Sequence, residues 1–292
     1  MHIPVLEKEI LEALDPQPNE NFIDATIGQA GHSLKILEKN GPNGKLLGID
    51  QTPEQIEITR EKTKNFENRI ILECGNFSNL KEIAEKNNFG PANGILFDLG
   101  FSSWHVDESG KGFTFQKDEP LLMNYGQEGL TAEQIVNQWS EEDLEMVLSQ
   151  YGQERFSRQI ARQIVEKRRI KAITTTFQLI EAIQKAMPRR YQNGKIHFAT
   201  RTFQGLRIAT NQELEILKKA LPQAIEMLAP GGRLAIISFH SLEDRIVKIF
   251  LKEEALKTKI KILTKKPIVP GLAEIRENPR SRSAKLRAAR KI

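Results

Sequence analysis

The chain has 292 residues, enough for roughly two domains of ordinary size. Hydrophobic residues make up 39% and charged residues 28%, so a sizeable core is available and global disorder is excluded. One cysteine, Cys74, excludes an internal disulfide and a cysteine metal cage. No run approaches the ~18 apolar residues of a membrane span. The amino terminus, Met1-His2-Ile3-Pro4-Val5-Leu6-Glu7, lacks the charged-then-apolar layout of a signal peptide, so a cytoplasmic location and no membrane partner are expected.

The net charge of +5 is uneven along the chain. Residues 257–292 carry twelve Lys/Arg against Glu274 and Glu277, which leaves the remainder acidic. A second basic run comprises Lys185, Arg189, Arg190, Lys195, Arg201 and Arg207 without an acid between them, and a third lies in 154–171. Aromatics and glycines interleave these runs (Tyr191, Phe198, Phe203, Gly194, Gly205). That pattern points to nucleic acid.

In chain order, residues 22–26 read as a strand, followed by Gly28-Gln29-Ala30-Gly31-His32 and a helix that stops at Asn40-Gly41-Pro42. Residues 45–50 form a second strand, and Thr52-Pro53 opens the next helix with proline at its first position. Residues 69–73 and 94–98 are further strands, the last apolar enough to be buried on both faces. From about Trp104 to Gly205 helices and loops take over. Thr131-Ala132-Glu133-Gln134 and Ser140-Glu141-Glu142-Asp143 read as capping boxes, and 154–169 as an amphipathic helix. A long helix then reaches Leu228, Pro230-Gly231-Gly232 turns the chain, and 233–239 is a strand. The fold class is α/β, with a Rossmann-like domain (1–104 and 206–292) interrupted by a helical insertion (105–205).

The glycine turn lies where a strand hands over to a helix, and open α/β sheets bind nucleotides at that edge. Asp50 closes the second strand about twenty residues further on, placed to accept ribose hydroxyls. The full G-x-G-x-x-G of a nicotinamide site is absent, and an acid precedes the turn, which suits a cationic ligand. Gly75-Asn76-Phe77 sits at the same edge, where Phe77 can pack on an adenine or serve as a core ring. Asp98-Leu99-Gly100-Phe101-Ser102-Ser103 leaves the fourth strand, and Asp98 and Phe101 have the acid–aromatic spacing of amine-methylating enzymes, without the prolines usual between them. A carboxylate there accepts an N–H from an exocyclic amine and favours its tetrahedral transition state. A serine hydrolase at Ser238-Phe239-His240-Ser241 is rejected for want of the Gly-x-Ser-x-Gly elbow; Ser241 with Asp244 reads as a helix cap. His2, His32, His105, His197 and His240 show no ligand spacing, so no metal is expected.

Taken together, His2-Ile3-Pro4-Val5-Leu6, Asp24-Ala25-Thr26, Ala30-Gly31-His32-Ser33, Lys111-Gly112-Phe113-Thr114-Phe115, Tyr151-Gly152-Gln153-Glu154, Asn211-Gln212-Glu213-Leu214 and the strings at 98–103, 199–204, 238–248 and 277–287 resemble the RsmH/MraW family of ribosomal RNA small-subunit methyltransferases over nearly the whole chain. The resemblance implies methyl transfer from S-adenosylmethionine to the N(4) amine of a cytidine in the decoding region of 16S rRNA. It implies cofactor contacts at Ala30, Gly31, His32, Asp50, Phe77 and Asp98, and at His105, which stands where the family usually has Gln. In that reading Asp98 orients the amine, with Ser102 and Ser103 as further polar groups. Phe101 or Trp104 stacks on the base, and His240 lines its pocket. The implied partners are 16S rRNA in the small ribosomal subunit and, as an option, a second copy of the chain. Leu122 and Asn124 replace an acid and an arginine of the family pattern, and Lys111 replaces an arginine. The alternatives carried forward are a divergent rRNA-binding protein that no longer methylates and a nicotinamide-dependent oxidoreductase.

Overall fold

The computed structural model describes residues 4–127, 129–192, 194 and 196–292. His2 and Ile3 of the opening motif and Lys195 of the second basic run lie outside the described residues. Two compact units divide the chain: 1–100 with 214–292, and Phe101–Glu213, within which the expected insertion of 105–205 lies.

The first unit opens with α1 (Glu7–Leu14), β1 (Phe22–Asp24), α2 (Gly31–Lys39), β2 (Leu46–Asp50), α3 (Pro53–Lys62), β3 (Ile70–Cys74), α4 (Leu80–Lys86) and β4 (Ala92–Asp98). The second unit is helical: α5 (Ser103–Asp107), α6 (Ala132–Gln138), α7 (Glu141–Gln150), α8 (Ser157–Ile170), α9 (Thr176–Ala186), α10 (Arg189–Gln192) and α11 (Thr200–Asn211). α12 (Glu213–Met227) returns the chain to the first unit, which ends with β5 (Leu228–Ser238), α13 (Ser241–Leu256), β6 (Ile260–Ile262), α14 (Leu272–Glu277) and β7 (Lys285–Lys291). Among the described residues no helix is long and apolar enough to cross a membrane.

The seven strands lie in the order β3-β2-β1-β4-β5-β7-β6. β1 to β5 run parallel, while β7 is antiparallel to both of its neighbours. Strand order reverses between β1 and β4, so their carboxyl ends flank the switch point at which such sheets bind ligands. The strands read as unbroken apolar runs because both faces are covered. Ile23, Leu47, Ile95, Phe97 and Ile236 join one buried cluster, and Phe22, Leu46, Leu96, Ala235 and Ile237 the other. In the second unit a separate core gathers Leu144, Ile160, Ile164, Leu179 and Leu206.

Three details correct the sequence reading. The expected turn at Pro230-Gly231-Gly232 is an irregularity inside β5, where pairing passes from Ala92↔Leu228 to Gly94↔Arg233. Gly231 holds φ +79°, which accommodates the detour. The basic carboxy-terminal run, counted above for its charge alone, contains a strand of the sheet, β7, inserted between β5 and β6. Its Arg287 pairs with Asp244 at 2.7 Å, and Lys285 reaches the same carboxylate at 3.4 Å. Finally, α13 is capped by His240 rather than Ser241. His240 Nδ1 accepts the Glu243 N–H at 3.4 Å, while Glu243 Oε2 accepts the N–H groups of Phe239 and His240.

Candidate active site

At the carboxyl edge of the parallel strands β1, β2 and β4 each end in an aspartate. Asp24 ends β1 and is buried; its Oδ2 accepts the Ser33 hydroxyl at 2.7 Å and its Oδ1 the Thr26 N–H at 3.1 Å. Burial, offset by those bonds and reinforced by Asp50, holds its carboxyl up at about 6. Asp50 ends β2. Its Oδ2 accepts the Gly28 N–H at 3.1 Å and its Oδ1 the Thr52 N–H at 2.9 Å, and burial raises its carboxyl as well.

Asp98 ends β4, and its N–H donates to the Thr26 hydroxyl at 2.7 Å. The side chain is 24% exposed and lies 3.7 Å from His32 Nε2. Its Oδ1 is buried without a hydrogen-bond partner. Burial first, then the charges of Asp24 and Glu243, push this carboxyl up to about 8. Four carboxylates therefore act on one another at a single sheet edge. Such a cluster calls for a cation.

The turn between β1 and α2 is shaped by two residues with positive φ. Gly28 has φ +46° and Ala30 φ +62°, and Ala30 occupies the N-cap without a side-chain bond to the first turn. The first-turn N–H groups of α2 are thus not capped by a side chain. Gly31 is required by packing, since a Cβ there would meet Pro4 Cγ at 2.7 Å. Two separate pieces of the sequence pattern, Pro4 and Gly31, meet at that point. His32 is buried at the second helical position.

Phe77, after β3, is partly buried and meets Phe97 edge-on at 5.5 Å, so the core-ring alternative accounts for one side of it. Asn76 bonds Ser78 and Gln51 and is engaged locally. At the end of β5, His240 Nε2 is buried 3.3 Å from Glu243 Oε1, without hydrogen-bond geometry. With Nδ1 accepting the cap bond, the ring proton belongs on Nε2.

The remaining predicted residues belong to the second unit. Phe101 is 40% exposed, with the Arg207 guanidinium 4.6 Å from its ring centroid and Phe113 stacked at 6.1 Å. Ser102 is the N-cap of α5, Ser103 its first helical residue, and the Ser102 N–H donates to His105 Nδ1 at 3.2 Å. Trp104, Phe113 and Tyr125 surround His105. Burial, then Lys111 and Arg207, lower its pKa to about 3, so it stays neutral. Lys111 Nζ reaches the carbonyls of Asn124, Tyr125 and Gly126, as an ammonium with three rotatable donors can. Arg207, counted with the second basic run, instead forms a two-pronged pair with Glu213 at 2.8 and 2.9 Å, and Tyr125 donates to the same carboxylate at 2.7 Å. In the third run Arg168 bonds the carbonyls of Val136 and Trp139, which terminates α6.

Sequence reasoning noted Asp24 as the acid ahead of the turn that suits a cationic ligand, but missed its meeting with Asp98, the part of Thr26 and Glu243 in the edge cluster, and the Tyr125–Glu213–Arg207 network. The signal for Asp24 was available: it is a strand-terminal acid like Asp50 and Asp98.

The family model described as "MraW methylase family" matches residues 1–292. Ribosomal RNA small subunit methyltransferase H of Heliobacterium mobile is 44% identical over 308 residues, covering 100% of this chain and 99% of the relative. The protein of that name from Clostridium botulinum (strain Kyoto / Type A2) is 45% identical over 307 residues, with 100% and 99% covered. Among solved structures, a proposed rRNA methylase from Clostridium thermocellum aligns with TM-score 0.51 at 14% identity over 100% of both chains. A proposed Streptococcus mutans methyltransferase in complex with SAH gives TM-score 0.50 at 13% identity, again over 100% of both. Those two likenesses concern the fold.

Proposed function

The chain belongs to the MraW methylase family, and from that membership we propose its substrate position and the roles of its residues. It is a methyltransferase that uses S-adenosylmethionine and acts on small-subunit rRNA; the acceptor we propose is the N(4) amine of a cytidine in the decoding region. The observation that carries the reading is the cluster of Asp24, Asp50, Asp98 and Glu243, with its unpartnered buried Asp98 Oδ1. Those residues fit a ligand with a sulfonium and an ammonium. The donor supplies an electrophilic methyl group.

The chain's own residues do the rest. Asp50 keeps lone pairs beyond its two backbone bonds and would accept the ribose hydroxyls. The backbone of Ala30, Gly31 and His32 would hold the charged amino-acid end, and Phe77 the adenine. Asp98 is largely protonated near neutral pH in the free protein; beside a bound cation it would release that proton to solvent, and its carboxylate would then accept an N–H of the amine. That bond strengthens as the nitrogen becomes tetrahedral. Phe101, Ser102 and Ser103 follow within five residues of chain; Phe101 is proposed to stack on the base, with the serines fixing α5. His240 is proposed to hold the end of β5 in place and to offer Nε2–H to the cytidine. A base bound this way must leave its stack. The setting is the small ribosomal subunit, in the cytoplasm.

The test is incubation with small subunits and methyl-labelled donor, followed by nucleoside mass spectrometry. Label in N(4)-methylcytidine is the expected result. Label confined to another nucleoside refutes the proposed acceptor, and no label favours a binding protein that has lost methylation.

A further inference from the structure

Elsewhere in the second unit Arg162 pairs with Glu166 and Lys167 with Glu181. Around α10 the arrangement differs. The Arg190 guanidinium lies 5.0 Å from the Tyr191 ring centroid and that of Arg155 5.6 Å, while Phe156 meets the same ring at 4.9 Å. Arg155 and Arg190 are exposed, and neither has an acid within salt-bridge distance among the described residues. An aromatic face restrains a guanidinium without neutralising it, and here one Arg155 N–H also donates to the Tyr191 hydroxyl at 3.4 Å. The result is two pre-oriented, fully charged forks on one tyrosine. Next to them, a depression of about 420 Å³ is lined by Lys185, Arg189, Gln184 and Gln192, together with Glu181 and Met187.

We infer that Arg155, Arg190 and Tyr191, with Lys185 and Arg189 alongside, form a cradle for the phosphate backbone of single-stranded RNA outside the methylated nucleotide. The inference rests on the rRNA reading above and specifies where the second unit grips that substrate. Guanidiniums held over a ring suit phosphates bidentately and also offer a plane on which an unstacked base can lie. An A-form duplex shows no such open base faces.

The test uses the whole chain and a short labelled single-stranded RNA, with affinity measured across a salt series. The double variant R155Q/R190Q is expected to reduce the log–log salt slope by about 1.4, near 0.7 for each phosphate that is no longer neutralised. Tyr191→Leu is expected to weaken binding about 5- to 100-fold, and Tyr191→Phe, which keeps the ring and loses only the bond from Arg155, to weaken it far less. Both arginines are exposed, so the double variant keeps its fold, and unchanged S-adenosylhomocysteine affinity verifies this. Equal slopes and affinities in the variants overturn the cradle while leaving rRNA methylation standing. Tighter binding of duplex than of single strand overturns it too. An unaltered chain that binds no RNA at all overturns both the cradle and the functional reading.

Discussion

Asp50 and Asp98 end strands on either side of β1 at the same sheet edge, yet their surroundings differ. Asp50 is tied to Gly28 and Thr52 by backbone N–H groups. Removing it with Asp50→Ala is expected to weaken cofactor binding by about 1.5–3 kcal/mol, the loss of charge-assisted bonds to a ribose; calorimetry on the folded variant checks this. Asp98 holds its proton up to about 8 because burial, Asp24 and Glu243 all oppose its charge. A raised carboxyl stabilises the fold below the unfolded value near 4, and that contribution is lost as pH climbs through 8. The ligand-free chain should therefore unfold at progressively lower urea concentration between pH 6 and about 8.5, and Asp98→Asn should flatten that decline. Equal pH dependence in the two proteins would remove the coupling of Asp98 to its acidic neighbours.

Among elements, β7 changes most between sequence and structure. Lys285-Leu286-Arg287-Ala288-Ala289-Arg290-Lys291 reads as a basic tail, but its Leu286, Ala288 and Ala289 are buried between β5 and β6. Arg287 is tolerated in that position because Asp244 on α13 meets it at 2.7 Å. Asp244→Ala leaves a buried guanidinium without its counter-charge and should cost about 3–5 kcal/mol in denaturant unfolding. Deleting residues 278–292 should unfold the first unit, because it removes the strand that pairs with both β5 and β6. The exposed Arg280 and Arg282 precede the strand, and reversing their charge tests RNA binding without touching the sheet. A salt slope for rRNA binding identical to that of the unaltered chain would give the tail a structural role alone.

At the scale of the whole molecule, what was legible in the sequence follows from what is local. β1, β2 and β4 are apolar runs that end in aspartate, and the glycine turn stands directly after the first of them, so the α/β class and the acid-lined carboxyl edge of the sheet could be read. The capping pair Thr131 and Gln134 likewise stands as read, each bonding the other's backbone. What could not be read depends on strand order and on distant partners. The acid cluster exists because β1 and β4 are neighbours at the switch point, across about seventy residues of chain that no periodicity connects. Arg207 reads as a surface cation until Glu213 and Tyr125 are placed beside it. The cap at His240 rather than Ser241 depends on Glu243 turning its carboxylate back to the backbone of Phe239 and His240.

The central claim is that Asp98 acts on the acceptor amine and not only on the cofactor. Single-turnover methylation of small subunits by Asp98→Asn, at saturating S-adenosylmethionine, separates these directly. The substitution nearly keeps the shape and removes the charge. The account predicts a rate lower by ~10²–10³-fold, or about 2.7–4 kcal/mol in the barrier, with a smaller loss of cofactor affinity. A normal rate once cofactor is saturating would contradict it and make Asp98 a binding residue only.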